Sequence, residues 1–116
     1  MQDIFLYGAG LLGIIISVAH GYIGEVRVVR PVRASTTQAK RVLHAIMFLS
    51  AVYWFAASAL LLITPLLLSD AQRPFVVYGV ALVFVSGCLG NLWATRGGHF
   101  GWILLAAAAA LAIAGA

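Results

Sequence analysis

Residues 4–22 read IFLYGAGLLGIIISVAHGY, an uninterrupted run without Asp, Glu, Lys or Arg. At about 1.5 Å per residue, a helix of this length covers most of the ~30 Å hydrocarbon core of a bilayer. A helix apolar around its whole circumference needs lipid or a large protein interior as its surroundings. The chain has only 116 residues, so lipid is the simpler host. The run closes on His20-Gly21-Tyr22-Ile23-Gly24-Glu25, which joins it to a basic loop and sets a histidine close to a carboxylate.

Composition extends that reading to the whole chain. It is 64% hydrophobic and 9% charged, against about 25% charged in an average soluble protein. The formal charge of +4 sits between apolar runs rather than on a polar domain. Anionic membrane lipids therefore account for it better than nucleic acid, which is not an expected partner. The single cysteine, Cys88, lies within an apolar run and reads as a small packing residue. Met1-Gln2-Asp3 lacks the basic start of a secretory signal, so the first run is expected to be retained as a span.

Four spans are expected, at about residues 4–22, 38–63, 75–93 and 100–115, forming one all-α antiparallel four-helix membrane domain. In the first, Gly8, Gly10 and Gly13 match a dinucleotide-binding pattern, but no strand precedes them and the match is coincidental. Helical spacing says more. Gly10, Gly13, Ser17, His20 and Gly24 fall on one face, a small-residue stripe suited to close helix packing that also carries His20. Residues 25–34 read as a loop, with Pro31 opposing continuation of the helix. Ser35 and Gln38 have capping-box spacing, which predicts a helix start there.

In the second span His44, Phe48, Ala51, Phe55 and Ser58 share a face, Tyr53 and Trp54 read as core aromatics, and Pro65 marks the end. Pro74 suits the first turn of the third helix. There Ser86 and Gly90 form a second small-residue pair, and Trp93 reads as an interface anchor. The alanine-rich fourth span offers no chemistry and reads as a close-packing or oligomer-facing helix.

Six of the seven basic residues, Arg27, Arg30, Arg33, Lys40, Arg41 and Arg96, fall in the first and third connections. The positive-inside bias makes that side cytoplasmic and puts both termini on the other. Arg27, Arg30, Arg33, Lys40 and Arg41 are then expected at lipid headgroups. The same topology brings His20, Glu25, His44, Asn91 and His99 to similar depth. His20, Glu25, His44 and His99 are suitable ligands for a transition metal, and two of the histidines could hold haem b, with Asn91 and Arg96 as polar support. The alternatives are a structural polar cluster, in which Glu25 pairs with a nearby base, and a proton or solute site.

The His20-to-Glu25 segment, the arginine-proline loop, His44 and Tyr53-Trp54 together resemble a group of small four-span bacterial inner-membrane proteins. In those proteins an H-x-x-x-G-E motif closes the first span. Leu43 stands where that group commonly has Trp before its second histidine. The resemblance covers the first half of the chain and implies a location and a fold, without an activity. Small multidrug exporters have a similar length, but their mid-span carboxylate is replaced here by Ile14-Ile15-Ile16. The charge bias likewise separates the chain from dual-topology fluoride channels. The expected role is an accessory or structural subunit of a homo-oligomer or a larger membrane complex, without catalysis. The rivals are a metal- or haem-binding redox or transport protein and a proton-coupled carrier of a small solute.

Overall fold

A computed structural model describes residues 2–116 as an all-helical bundle, with no strand among the described residues. The helices are α1, Gln2–Ile23; α2, Thr37–Leu67; α3, Arg73–Thr95; and α4, Gly101–Ala114. α1, α2 and α3 are each long and apolar enough to cross a membrane. Helices suit that setting because each backbone donor finds its acceptor within the same segment. The four helices form a ring in which each contacts the next and α4 returns to α1. Gln2 Nε2 donates to Ala116 O at 3.4 Å, so residues 2 and 116 meet at one end of the bundle.

The small-residue stripe of α1 faces α2. Gly10, Gly13, Ser17 and Gly24 are all buried. A Cβ on Gly10 would lie 2.6 Å from Leu62 Cδ2 and 2.9 Å from Ser58 O, closer than packed atoms tolerate. One on Gly13 would run into Ser58 and come within 2.9 Å of Phe84. One on Gly24 would strike the end of the Met47 side chain. These contacts descend α1 while ascending α2, as antiparallel neighbours must.

α3 closes on α2 where Gly87 receives the indole of Trp54, and Phe84 fills the centre with no exposed surface. α4 inserts Leu105, Ala108, Ala109 and Ala112. The hydroxyls buried in this apolar interior bond back to their own helices, Ser58 to Trp54 O at 2.6 Å and Thr64 to Leu60 O at 2.7 Å. Such back-bonding lets a polar side chain sit among apolar groups without an unmet donor.

Several local expectations are corrected. The chain does not leave its helix at Glu25 but continues as a π-helical turn over Gly24–Val29, where Arg30 N bonds Glu25 O at 3.0 Å. Pro31 ends this extension, since a proline offers no N–H to prolong it. The cap of α2 is Thr36, one residue beyond Ser35, and its hydroxyl accepts from Ala39 N at 3.0 Å. Pro65 lies inside α2, which runs on to Leu67. In the last turn, the one bond that proline removes is a small loss.

Trp54 is buried as expected, but Tyr53 faces outward. The buried stripe of α2 is Trp54, Ser58, Leu61 and Thr64, leaving Phe48 and Phe55 exposed. Ser86 and Gly90 pack against nothing within the chain; Gly87 makes the close approach instead. Cys88 is half-buried against the core.

Candidate functional site

The wide π-helical turn shapes one polar corner of the molecule. In an α-helix, residues five apart do not face one another, whereas an i to i+5 bonded turn brings them to the same side. Glu25 and Arg30 are so placed, and Arg30 Nε donates to Glu25 Oε1 at 3.3 Å. The second carboxylate oxygen, Oε2, lies 3.4 Å from His44 Nδ1 on the first turns of α2. Lys40, one turn earlier on α2, donates from Nζ to Arg30 O at 3.3 Å. One carboxylate thus bridges a guanidinium and an imidazole, and a lysine ties the end of the turn to α2.

His20 belongs to a different environment. Its Nε2 lies 3.0 Å from Ser50 Oγ, and its ring centroid is 4.4 Å from that of Trp54. Ser50 Oγ also lies 2.9 Å from Met47 O, so the hydroxyl joins His20 to the backbone of α2, accepting from the imidazole when its own proton goes to the carbonyl. The small-residue stripe therefore does carry His20 to the packed side, where it forms part of the α1–α2 seam.

His99 serves the turn before α4. Its Nδ1 accepts from Gly101 N at 3.1 Å, so that nitrogen's lone pair is already engaged. The ring stacks on Phe100 with centroids 4.9 Å apart. Asn91 stands near this turn, and its Oδ1 is buried without a partner, as is Nε1 of Trp102. Arg96 does not join them. It is exposed at the end of α3 with φ 51°, in the left-handed position usually given to glycine.

The four residues expected as metal or haem ligands therefore occupy three places. Glu25 and His44 meet; His20 is bound to Ser50 and His99 to Gly101. Among the described residues, no group of three or more His, Cys, Asp or Glu side chains is arranged to hold a metal ion. Glu25 and His44 alone could supply two ligand atoms, and a third would have to come from outside the pair.

Two grooves meet at the Glu25–His44 pair. One, of about 730 Å³, is walled by Arg30, Lys40 and Arg41 with Thr37 and Phe48. The other, of about 550 Å³, runs along α1 and α2 between Val18, Met47, Ala51, Val52 and Phe55. Of the five residues expected to share a face, His44, Phe48, Ala51 and Phe55 line this groove rather than the core, while Ser58 departs from them and is buried against Gly13. Arg27 and Arg33 are exposed outside both grooves.

A second polar site, absent from the sequence reading, lies at the opposite end. Arg73, whose side chain is only 12% exposed, donates to Asp3 Oδ1 at 2.7 Å and approaches Asp70 Oδ1 at 3.7 Å. The topology held the signal for it. α1 and α3 run the same way, so their N-terminal residues share an end, and Asp3 and Arg73 are oppositely charged. No protein-family model matches the chain, and no curated protein or solved structure matches it either.

Proposed function

We propose that the protein is a multi-pass protein of the bacterial inner membrane with both termini on the non-cytoplasmic side. On this reading it is an accessory or structural subunit of a homo-oligomer or a larger membrane complex. The observation that carries this reading is the outer face of α3. Gly79, Ser86 and Gly90 lie on it at spacings of seven and four, and a Cβ on either glycine would meet nothing within 4 Å. Large exposed side chains border these positions, Phe75, Leu82, Leu89 and Trp93 among them. Small residues set between large ones let a second helix approach closely in lipid, where packing rather than water exclusion drives association.

The stripe on α1 has the same chemistry but is already occupied by α2. Gly10 and Gly13 therefore support the chain's own fold, and subunit contacts fall to α3. The polar groups point the same way: Glu25, His20 and His99 are each engaged within the chain. The basic first connection and the resemblance of the His20–Glu25 segment support the proposed orientation and location.

Native mass spectrometry of gently extracted protein, with Ser86→Cys crosslinking in membranes, tests the reading. Expected are assemblies of several chains, or of this chain with foreign subunits, and a crosslinked product through position 86. A monomer that fails to crosslink at position 86 at any expression level would refute it.

A further inference from the structure

Beyond assembly, we infer that the two grooves meeting at Glu25 and His44 form one binding site for an anionic phospholipid. The headgroup lies between Arg30, Lys40 and Arg41, and one acyl chain lies along Val18, Ala51, Val52 and Phe55. Three features of the geometry carry this assignment.

The first is continuity. The grooves share Glu25, His44 and Phe48, so a single molecule could occupy both. The second is the change in lining along this path. The end at the π-helical turn carries three cations, while the remainder is mainly apolar, with the Ser17 hydroxyl bonded back to Ile14 O at 2.8 Å. From His44 to Phe55 the path follows α2 for about 16 Å at a rise of ~1.5 Å per residue, a length suited to a chain rather than a compact solute. A free anion would leave this apolar part unfilled, and a neutral apolar molecule would leave the cations unmatched.

The third is charge. The basic groove holds Arg30, Lys40 and Arg41 against the single carboxylate of Glu25. Glu25 already has Arg30 at 3.3 Å and His44 at 3.4 Å, so its negative charge is turned toward protein partners. Arg41 has no hydrogen-bond or ion-pair partner among the described residues. Lys40 makes one bond, to a backbone carbonyl, and retains further N–H groups. A surplus of positive charge beside a lipid-facing apolar groove matches a phosphate-bearing headgroup with its tail. Arg27 and Arg33 add only to the diffuse attraction of the loop, because neither lines a groove.

Native mass spectrometry of delipidated protein in neutral detergent provides the test, with phosphatidylglycerol, phosphatidylcholine and inorganic phosphate added separately. One phosphatidylglycerol should be retained at least about tenfold more tightly than phosphatidylcholine, the scale expected of two basic side chains acting on one headgroup. Inorganic phosphate should not be retained. The double substitution Lys40→Gln, Arg41→Gln should remove the preference, whereas Arg33→Gln should leave it. Val52→Trp, which fills the apolar groove from an exposed position, should weaken retention with every cation intact. Equal retention of the two lipids would overturn the assignment, as would equal losses from Arg33→Gln and the double variant. Retention of inorganic phosphate as tight as that of the lipid would reduce the site to an anion pocket and refute the lipid. Circular dichroism of each variant identifies unfolding, and the two independent routes, headgroup and tail, keep the test decisive if one variant fails.

Discussion

Arg30 is tied to Glu25 twice, through its backbone N–H to the Glu25 carbonyl at 3.0 Å and through Nε to Oε1 at 3.3 Å. The backbone bond defines the π-helical turn, and the side-chain bond closes over it. The ion pair is largely exposed at Arg30, so water and salt limit its strength to about 0–1 kcal/mol. Arg30→Ala should therefore leave global thermal stability within about 0.5 kcal/mol. Amide exchange across residues 24–30 should nevertheless accelerate. Unchanged exchange there would show that the side chain adds nothing to the turn.

The seam between α1 and α2 should respond very differently. Gly13→Ala places a methyl group against Ser58 and Phe84, both without exposed surface, and should cost about 1–3 kcal/mol through overpacking. Gly8→Ala meets only Leu111 Cδ1, at an ordinary contact distance of 4.0 Å, and should be neutral or stabilising by up to ~1 kcal/mol, the helix-propensity difference between the residues. Thermal unfolding in detergent separates the two. Similar midpoints would contradict the observed packing.

At the other end of the bundle, Arg73 is the partner that should matter most. Arg73→Ala removes a mostly buried guanidinium and leaves Asp3 and Asp70 without their shared cation, with an expected loss of about 1–3 kcal/mol. Asp70→Ala, at an almost fully exposed side chain 3.7 Å from the arginine, should change stability by less than about 0.5 kcal/mol. Asp3→Ala should fall between them. The ranking can be read from denaturation midpoints, and an Asp70 effect as large as that of Arg73 would defeat it.

Arg96 offers a gain. Its backbone adopts the left-handed conformation, and Gly97 N bonds Leu92 O at 3.0 Å to close the end of α3. A residue with a Cβ is strained there by about 1–2 kcal/mol, so Arg96→Gly should raise stability by part of that amount. A lower unfolding midpoint in the glycine variant would show that the arginine side chain compensates through contacts of its own.

Hydropathy and helical spacing made the bundle legible. Lipid-compatible runs must satisfy their backbone internally, so four apolar runs dictated four helices. The stripe from Gly10 to Gly24 identified the close-packing face of α1 because small side chains leave a periodic trace. The π-helical turn left none: an i to i+5 bond over Gly24–Val29 depends on backbone geometry, and Glu25 and Arg30 look unrelated on an α-helical wheel. Tyr53 and Trp54 are adjacent, so only one of them could face inward. Their shared aromatic character hid that Gly87 is shaped to receive Trp54. The charge pattern placed the histidines at similar depth, but depth alone does not make side chains converge. His99 finds its partner two residues away at Gly101, and His20 finds its own across the seam at Ser50. The Asp3–Arg73 pair needed relative helix positions, which no local pattern contains.

The unequal lengths of the helices have a consequence for the surrounding bilayer. α2 has 31 residues and α4 only 14, a difference of roughly 25 Å at about 1.5 Å per residue. At about 46 Å, α2 more than covers a ~30 Å core even with its first turns, which carry Lys40 and Arg41, at the headgroups, whereas α4 offers a wall nearer ~21 Å, well short of that core. In a bilayer crossed by all four helices, the two leaflets would draw together beside α4 and not beside α2. The bundle would therefore act as a lateral thickness gradient, favouring neighbours with short hydrophobic girdles on its α4 side.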